Sequence, residues 1–284
     1  MKYREEALVF DCNGDALVSI LARPLREERQ TAVLVVVGGP QYRVGSHRQF
    51  VELSRTLASA GIPCLRFDYR GMGDSEGNSR NFSDVNDDIA AAVEILLECC
   101  PELDEIVLWG LCDGATAAAF YASTDARVSG LVLLNPWVHT EQSEARVYLK
   151  YYYIGRVTSA AFWRKLFSGE FSVVRAIADG WQLVSRALGQ GSSQEGISPD
   201  QQNNVPDRLL ESLKMRDVRT LIMLSGKDYV ATEFEDLCKG DSSWMRIVER
   251  ATIHRFPNAD HTFSDPLDAD QAARTTRDWI LASP

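Results

Sequence analysis

Residues 106–120 read IVLWGLCDGATAAAF, and the fold turns on how this stretch is taken. Ile106 to Trp109 is a short apolar run with β-branched residues, the pattern of a strand buried on both faces. Gly110-Leu111-Cys112-Asp113-Gly114 follows at once, and the Ala-rich stretch Ala115 to Ser123 reads as a helix. A strand that bends this sharply into a helix leaves no room for side chains beside the apex, so the flanking positions need glycine. Gly110 and Gly114 meet that need, and Cys112 is lifted above the sheet edge. Its place at a helix start favours thiolate over thiol, because the free N–H groups and partial positive charge point at the sulfur. A lone G-x-C-x-G also arises by chance around an inert buried thiol, so the rest of the chain has to decide.

Working outward, the same strand, loop and helix grammar recurs. Glu5 to Phe10 and Ala16 to Ala22 are strands joined across Asn13-Gly14, a strong hairpin signal. Thr31 to Val37 is a buried strand ending in Gly38-Gly39-Pro40. Ser46 and Gln49 have capping-box spacing before a helix carrying Phe50, Leu53 and Leu57, which Gly61 and Pro63 stop. Cys64 to Phe67 is a strand, and Asp84 to Glu98 a helix with Val85, Ile89, Val93 and Leu96 on one side. Gly130 to Leu134, Thr220 to Leu224 and Thr252 to Phe256 are further strands, and a closing helix starts after Asp265-Pro266. Strands alternating with helices predict an α/β fold, a mostly parallel twisted sheet with helices on both faces.

The rhythm breaks between 139 and 215, so the expected organisation is a core of residues 1–138 and 216–284 with a helical cap inserted at 139–215 and a flexible polar segment near 189–206. Within the insertion Arg146, Lys150, Arg156, Arg164, Lys165 and Arg175 face a single acid, Glu170, and are interleaved with aromatics that include Tyr152 and Trp163. The plain reading is that these rings pack the insertion while the cations snorkel outward. The sharper one is a cap over a pocket, with Tyr152 and Trp163 as substrate contacts, or a peripheral contact with an anionic membrane face.

Composition narrows the class. The 284 residues are 45% hydrophobic and 25% charged, which excludes a wholly disordered, collagen-like or coiled-coil chain. The formal charge of -10 repels phosphate backbones and argues against a nucleic-acid partner. MKYREEALVF lacks the basic and apolar regions of a secretory signal, so the expected location is cytoplasmic and the six cysteines are expected to be reduced. No two cysteines have CxxC spacing, and histidine spacing offers no metal site; no cofactor is implied.

A nucleophile on such a bend needs a base and an acid, and both lie after later strands. Asp228 follows Thr220 to Leu224 in Ser225-Gly226-Lys227-Asp228, and His261 follows Thr252 to Phe256 in Asn258-Ala259-Asp260-His261. Cys112, Asp228 and His261 thus stand in order at carboxyl ends of strands, where open parallel sheets hold their ligands. Asp260 is an alternative acid, though adjacent residues cannot easily aim at each other. The backbone N–H groups of Gly39 and Asp113 are the expected oxyanion donors, since Pro40 has none and Gln41 is less well placed. Gln41 and His47 are expected substrate contacts, a helix-cap role competing for His47, while His254 reads as structural. Asp68 to Ser75, DYRGMGDS, reads as scaffold.

Taken together, GGPQ after the third strand, DYRGMGDS after the fourth, GLCDGA at the bend, GKD and DH resemble the α/β-hydrolase superfamily over nearly the whole chain. VVGGPQYRVGSHRQF with GLCDGA looks more narrowly like the exosortase A system-associated hydrolase 1 group, which implies a link to bacterial exopolysaccharide systems. Two departures stand out: Val37 replaces the His that often opens the first-loop motif, and Cys replaces Ser at the bend. The expected activity is ester or thioester hydrolysis through an acyl-cysteine on a small-molecule substrate. The alternatives are acyl transfer from the same intermediate and a non-catalytic ligand- or partner-binding protein on this fold. Nothing in the sequence sets the oligomeric state.

Overall fold

The computed structural model describes residues 2–39, 41–139 and 205–282. The chain divides into two units, residues 1–139 with 204–284, and residues 140–203. The second unit lies outside the described residues, and with it the basic aromatic patch, Tyr152, Trp163 and most of the polar segment near 189–206.

The first unit is built on one eight-stranded sheet. Its strands are β1 (Tyr3–Cys12), β2 (Asp15–Pro24), β3 (Thr31–Val36), β4 (Cys64–Phe67), β5 (Glu105–Leu111), β6 (Val128–Leu134), β7 (Arg219–Lys227) and β8 (Thr252–Asp260), in the spatial order β1-β2-β4-β3-β5-β6-β7-β8. β1 and β2 pair antiparallel with Cys12 opposite Asp15, leaving the two-residue Asn13-Gly14 turn, and β2 meets β4 antiparallel. Asn13 (φ 56°) and Gly14 (φ 90°) both take the left-handed conformation that such a hairpin turn requires. From β4 onward every pairing is parallel.

The central strands are buried on both faces, as their unbroken apolar runs predict; Ala32 to Val36 and Ile106 to Trp109 are all buried. Helices α1 (Gln49–Ser59), α2 (Asn86–Cys99) and α3 (Asp113–Ala122) fall where the sequence places them. The capping box at Ser46 and Gln49 does not form. Ser46–Arg48 is a 3-10 turn, His47 (φ 52°) and Arg48 (φ 63°) are left-handed, and no side chain caps α1. The Ser46 N–H instead donates to Gln41 Oε1 at 3.3 Å.

Helix α4 (Val205–Met215), expected inside the insertion, belongs to the first unit, where Val205, Leu209, Leu210 and Leu213 are buried. Two helices, α5 (Tyr229–Gly240) and α6 (Ser242–Arg250), connect β7 to β8, and α7 (Pro266–Leu281) closes the chain with Asp265 accepting the Leu267 N–H at 2.9 Å. Among the described residues, no helix is long and apolar enough to cross a membrane.

Candidate active site

The parallel register brings the candidate residues to one end of the sheet. Leu111 pairs with Leu134 and Lys227 with Asp260, so the residues that follow β5, β7 and β8 emerge at the same end of the sheet, with β6 between β5 and β7. Cys112, Asp228 and His261 are those residues.

At the bend, Cys112 has φ 60° and ψ -126°, a strained conformation for any residue with a Cβ, held because its neighbours leave no alternative. Its N–H donates to the Leu134 carbonyl at 2.9 Å and its carbonyl accepts from Trp137 N–H at 3.2 Å. A Cβ on Gly110 would lie 2.4 Å from the Gly114 carbonyl oxygen, and one on Gly114 2.6 Å from that of Val36. Close approach of three backbone segments therefore fixes both glycines.

Asp228 is 5% exposed and divides its two oxygens between two tasks. Oδ1 accepts the Val230 N–H at 3.1 Å and caps α5, while Oδ2 lies 2.8 Å from His261 Nδ1. A carboxylate can only accept, so Nδ1 carries the proton and leaves Nε2 free to act as a base. The hydrogen bond that His261 donates to Asp228, partly offset by burial and reinforced by the Asp228 charge, holds the imidazole above its ordinary value of 6.5. Asp260 is otherwise engaged: Oδ1 accepts the N–H groups of Thr262 and Ser264, each at 3.0 Å, and so sets the turn that presents His261. The acid facing the imidazole is Asp228.

The sulfur side is electrostatically different. Burial first, then the charges of Asp113 and Asp228, push the half-buried Cys112 thiol above its ordinary value of 9.0, and the Asp113 N–H opposes this only in part. The expected thiolate at a helix end is therefore corrected: two nearby carboxylates and desolvation outweigh the helix terminus, and the sulfur rests as a thiol. All six cysteines are free.

Beside the bend, the first loop is fastened by side chains that the sequence reading treated only as scaffold. Asp68, 1% exposed, accepts the Arg43 N–H at 2.6 Å, pairs with the Arg43 guanidinium and accepts the Asp74 N–H at 3.0 Å. Arg43 Nη2 also reaches Asp74 at 2.6 Å. DYRGMGDS thus anchors the loop that carries Gly39 and Gln41. In turn Arg70, paired with buried Asp88 at 2.9 Å, anchors DYRGMGDS to α2.

Of the remaining expected contacts, Gln41 is half-buried and His47 is exposed on its 3-10 turn. His254 packs on Phe256 at 4.6 Å and faces Gln271, a structural setting. His139 packs at a tilt against Trp137 at 4.9 Å and lies 3.3 Å from buried Glu233 of α5. Glu233 was not singled out from sequence; a carboxylate on the apolar side of α5, between Ala231 and Phe234, was the available signal.

Comparison with known proteins agrees with this layout. The sequence profile of the alpha/beta hydrolase family matches residues 33–275. Among curated proteins, the polyketide transferase grgF of Penicillium is 28% identical over 39% of this chain, and the quorum-quenching protein AidA of Acinetobacter baumannii is 28% identical over 45%. The matched stretch spans 39% and 42% of those two relatives, less than half of either. Among solved structures, an esterase from Pyrococcus furiosus superposes with a TM-score of 0.65 at 14% identity, covering 98% of this chain and 92% of that one. Est1E of Butyrivibrio proteoclasticus, in a structure with ferulic acid bound, gives 0.65 at 15% identity over 97% and 98%. At such identities the structural likeness speaks for the fold alone, and the profile match over most of the chain speaks for the family. This chain belongs to the alpha/beta hydrolase family.

Proposed function

We propose that the protein hydrolyses esters or thioesters of small molecules through a Cys112-His261-Asp228 triad. The observation that carries the reading is the 2.8 Å hydrogen bond from His261 Nδ1 to Asp228 Oδ2, on loops at the same end of the sheet as a strained Cys112. That bond fixes the tautomer in which Nε2 is the base.

Because the sulfur rests protonated, His261 takes the thiol proton as sulfur attacks the acyl carbon, and the carbonyl electron pair moves to oxygen. The backbone N–H groups of Gly39 and Asp113 receive that oxyanion. Its collapse expels the alcohol or thiol, which takes the proton from the imidazolium, and leaves an acyl-cysteine. His261 then deprotonates a water that attacks the acyl carbon, and a second collapse releases the acid and returns the proton to sulfur. The esterase named among the structural neighbours and the fold they share agree with an ester substrate.

A second reading is acyl transfer, favoured by one observation: a curated relative is a polyketide transferase. Here an alcohol or amine replaces water in the second half-reaction. The exosortase association remains part of this proposal through the sequence resemblance. Replacing Cys112 with Ala and following p-nitrophenyl butyrate tests the triad: turnover is expected to fall by about four orders of magnitude or more. Undiminished turnover would remove Cys112 from the mechanism. Mass analysis of products with and without added alcohols and amines separates hydrolysis from transfer.

A further inference from the structure

Strand β6 lies between the strand that leads to Cys112 and the strand that leads to Asp228, and the segment at its end, residues 134–137, holds both. The two backbone polar groups of Cys112 terminate there: its N–H donates to the Leu134 carbonyl at 2.9 Å and its carbonyl accepts the Trp137 N–H at 3.2 Å. Thr116 Oγ1 of α3 secures the segment by donating to the Trp137 carbonyl at 2.8 Å. Between these anchors stands Asn135, 0% exposed and left-handed at φ 47°.

Asn135 is bound to β7. Its N–H donates to the Met223 carbonyl, its Oδ1 accepts the Ser225 N–H and its Nδ2 donates to Ser225 Oγ, each at 2.9 Å. The β6–β7 ladder ends with Leu134 opposite Met223, so the side-chain amide continues the pairing where the backbone no longer supplies it. On the other flank of β7 the register breaks at the same level. Ser225 pairs with Phe256 and Lys227 with Asp260, which leaves Gly226 against the longer stretch Pro257 to Ala259 of β8. Irregular pairing beside a site re-aims the side chains that follow it, and here those are Lys227 and Asp228. Asparagine suits the position on two counts: it enters the left-handed region more readily than most residues with a Cβ, and its amide both donates and accepts.

We infer that Asn135 is a positioning residue for the triad: its amide holds β7 at Ser225, just ahead of the break in pairing, and so sets where the Asp228 carboxylate meets His261, while the residues beside it hold Cys112. Fully buried, Asn135 acts through Asp228 and not on the substrate. The inference rests on the triad reading above.

The test measures kcat, KM and the pH profile of kcat/KM with p-nitrophenyl butyrate for two variants beside Asp228→Asn. Asn135→Gly keeps the left-handed backbone accessible and removes the amide; Ser225→Ala removes only the Oγ partner and carries the same readings if the first variant does not fold. Thermal melting sets an assay temperature at which the variants are folded. For Asn135→Gly, kcat is expected to fall about 10- to 100-fold with KM little changed, the size of effect that a misplaced catalytic group produces. The acid limb is expected to move to lower pH, as in Asp228→Asn, because His261 loses the hydrogen bond that holds it above 6.5. Asp113 and Asp260, the other charges that raise this imidazole, stay in place, so the movement reports Asp228. Ser225→Ala is expected to move both readings the same way by less. A lower melting temperature, or a lower kcat, with the acid limb unmoved marks a purely structural role and overturns the assignment. If Asp228→Asn moves the limb and the two variants do not, the Asn135 inference alone falls; if Asp228→Asn leaves turnover undiminished, the triad reading falls and the inference with it.

Discussion

Two aspartates stand at helix starts at this end of the sheet, and they are put to opposite uses. Asp228 opens α5 after β7, and each of its oxygens has one partner, Val230 N–H or the His261 imidazole. Asp113 opens α3 after the bend, its carboxyl accepts the Gly114 N–H, and after burial its charge discourages ionisation of the Cys112 thiol. The Asp228–His261 pair is therefore already hydrogen-bonded in the free protein, whereas the Asp113 carboxyl is held by the Gly114 N–H beside the sulfur. A carboxylate in a catalytic site is thus defined by what accepts its charge, and its position at a helix start does not settle its role.

The largest expected effect breaks the Asp228–His261 pair. Asp228→Asn keeps an oxygen for Val230 but lets the amide donate to Nδ1, which favours the wrong tautomer; kcat is expected to fall about 10⁴-fold with little change in KM. Initial rates over a range of substrate concentrations read this directly. On the sulfur side, Asp68→Ala leaves the Arg43 guanidinium without its buried partner. The expected loss is about 3–5 kcal/mol of stability by denaturant titration, as for removal of one partner of a buried ion pair. Smaller again is Gly110→Ala, where a methyl group must displace the backbone of Gly114; about 1–3 kcal/mol is expected, seen as a lower melting temperature.

The contrast also predicts pH behaviour. With its folded value held above 6.5 by Asp228, His261 sets an acid limb of kcat/KM at a higher pH than a free imidazole would, and Asp228→Asn moves the limb down. Stability follows the same sign. The contribution of this pair is complete below pH 6.5 and fades as pH rises through the raised folded value, a slope that Asp228→Asn removes. Smallest is the alkylation of Cys112 by iodoacetamide. Its rate is expected to climb with pH past 9 without an acidic plateau; a plateau near pH 6 would instead reveal a preformed thiolate–imidazolium pair.

What could be read from sequence followed locality. The bend was legible because Gly110 and Gly114 answer to a steric need within five residues, and the pairing of Asp228 with His261 because adjacent strands of a parallel sheet end together. The false capping box shows the limit: Ser46 and Gln49 have the spacing, but the left-handed His47 and Arg48 break the turn between them. The anchoring pair Arg43 and Asp68 joins loops 25 residues apart, and no local pattern announces it. The thiolate expectation failed for a similar reason, because the helix end is local whereas the burial and carboxylates that oppose it come from the tertiary fold. Helix α4 escaped because a polar stretch leads straight into it, hiding the apolar face of Val205, Leu209 and Leu213.

One measurement reaches the central claim most directly: rapid acid quench of the protein during turnover of p-nitrophenyl butyrate, followed by peptide mass spectrometry. A butyryl mass increment on the peptide bearing Cys112, absent from the other five cysteines and lost when His261 is replaced by Ala, is the predicted result. An increment at another residue, with none at Cys112 while product accumulates, would contradict the account.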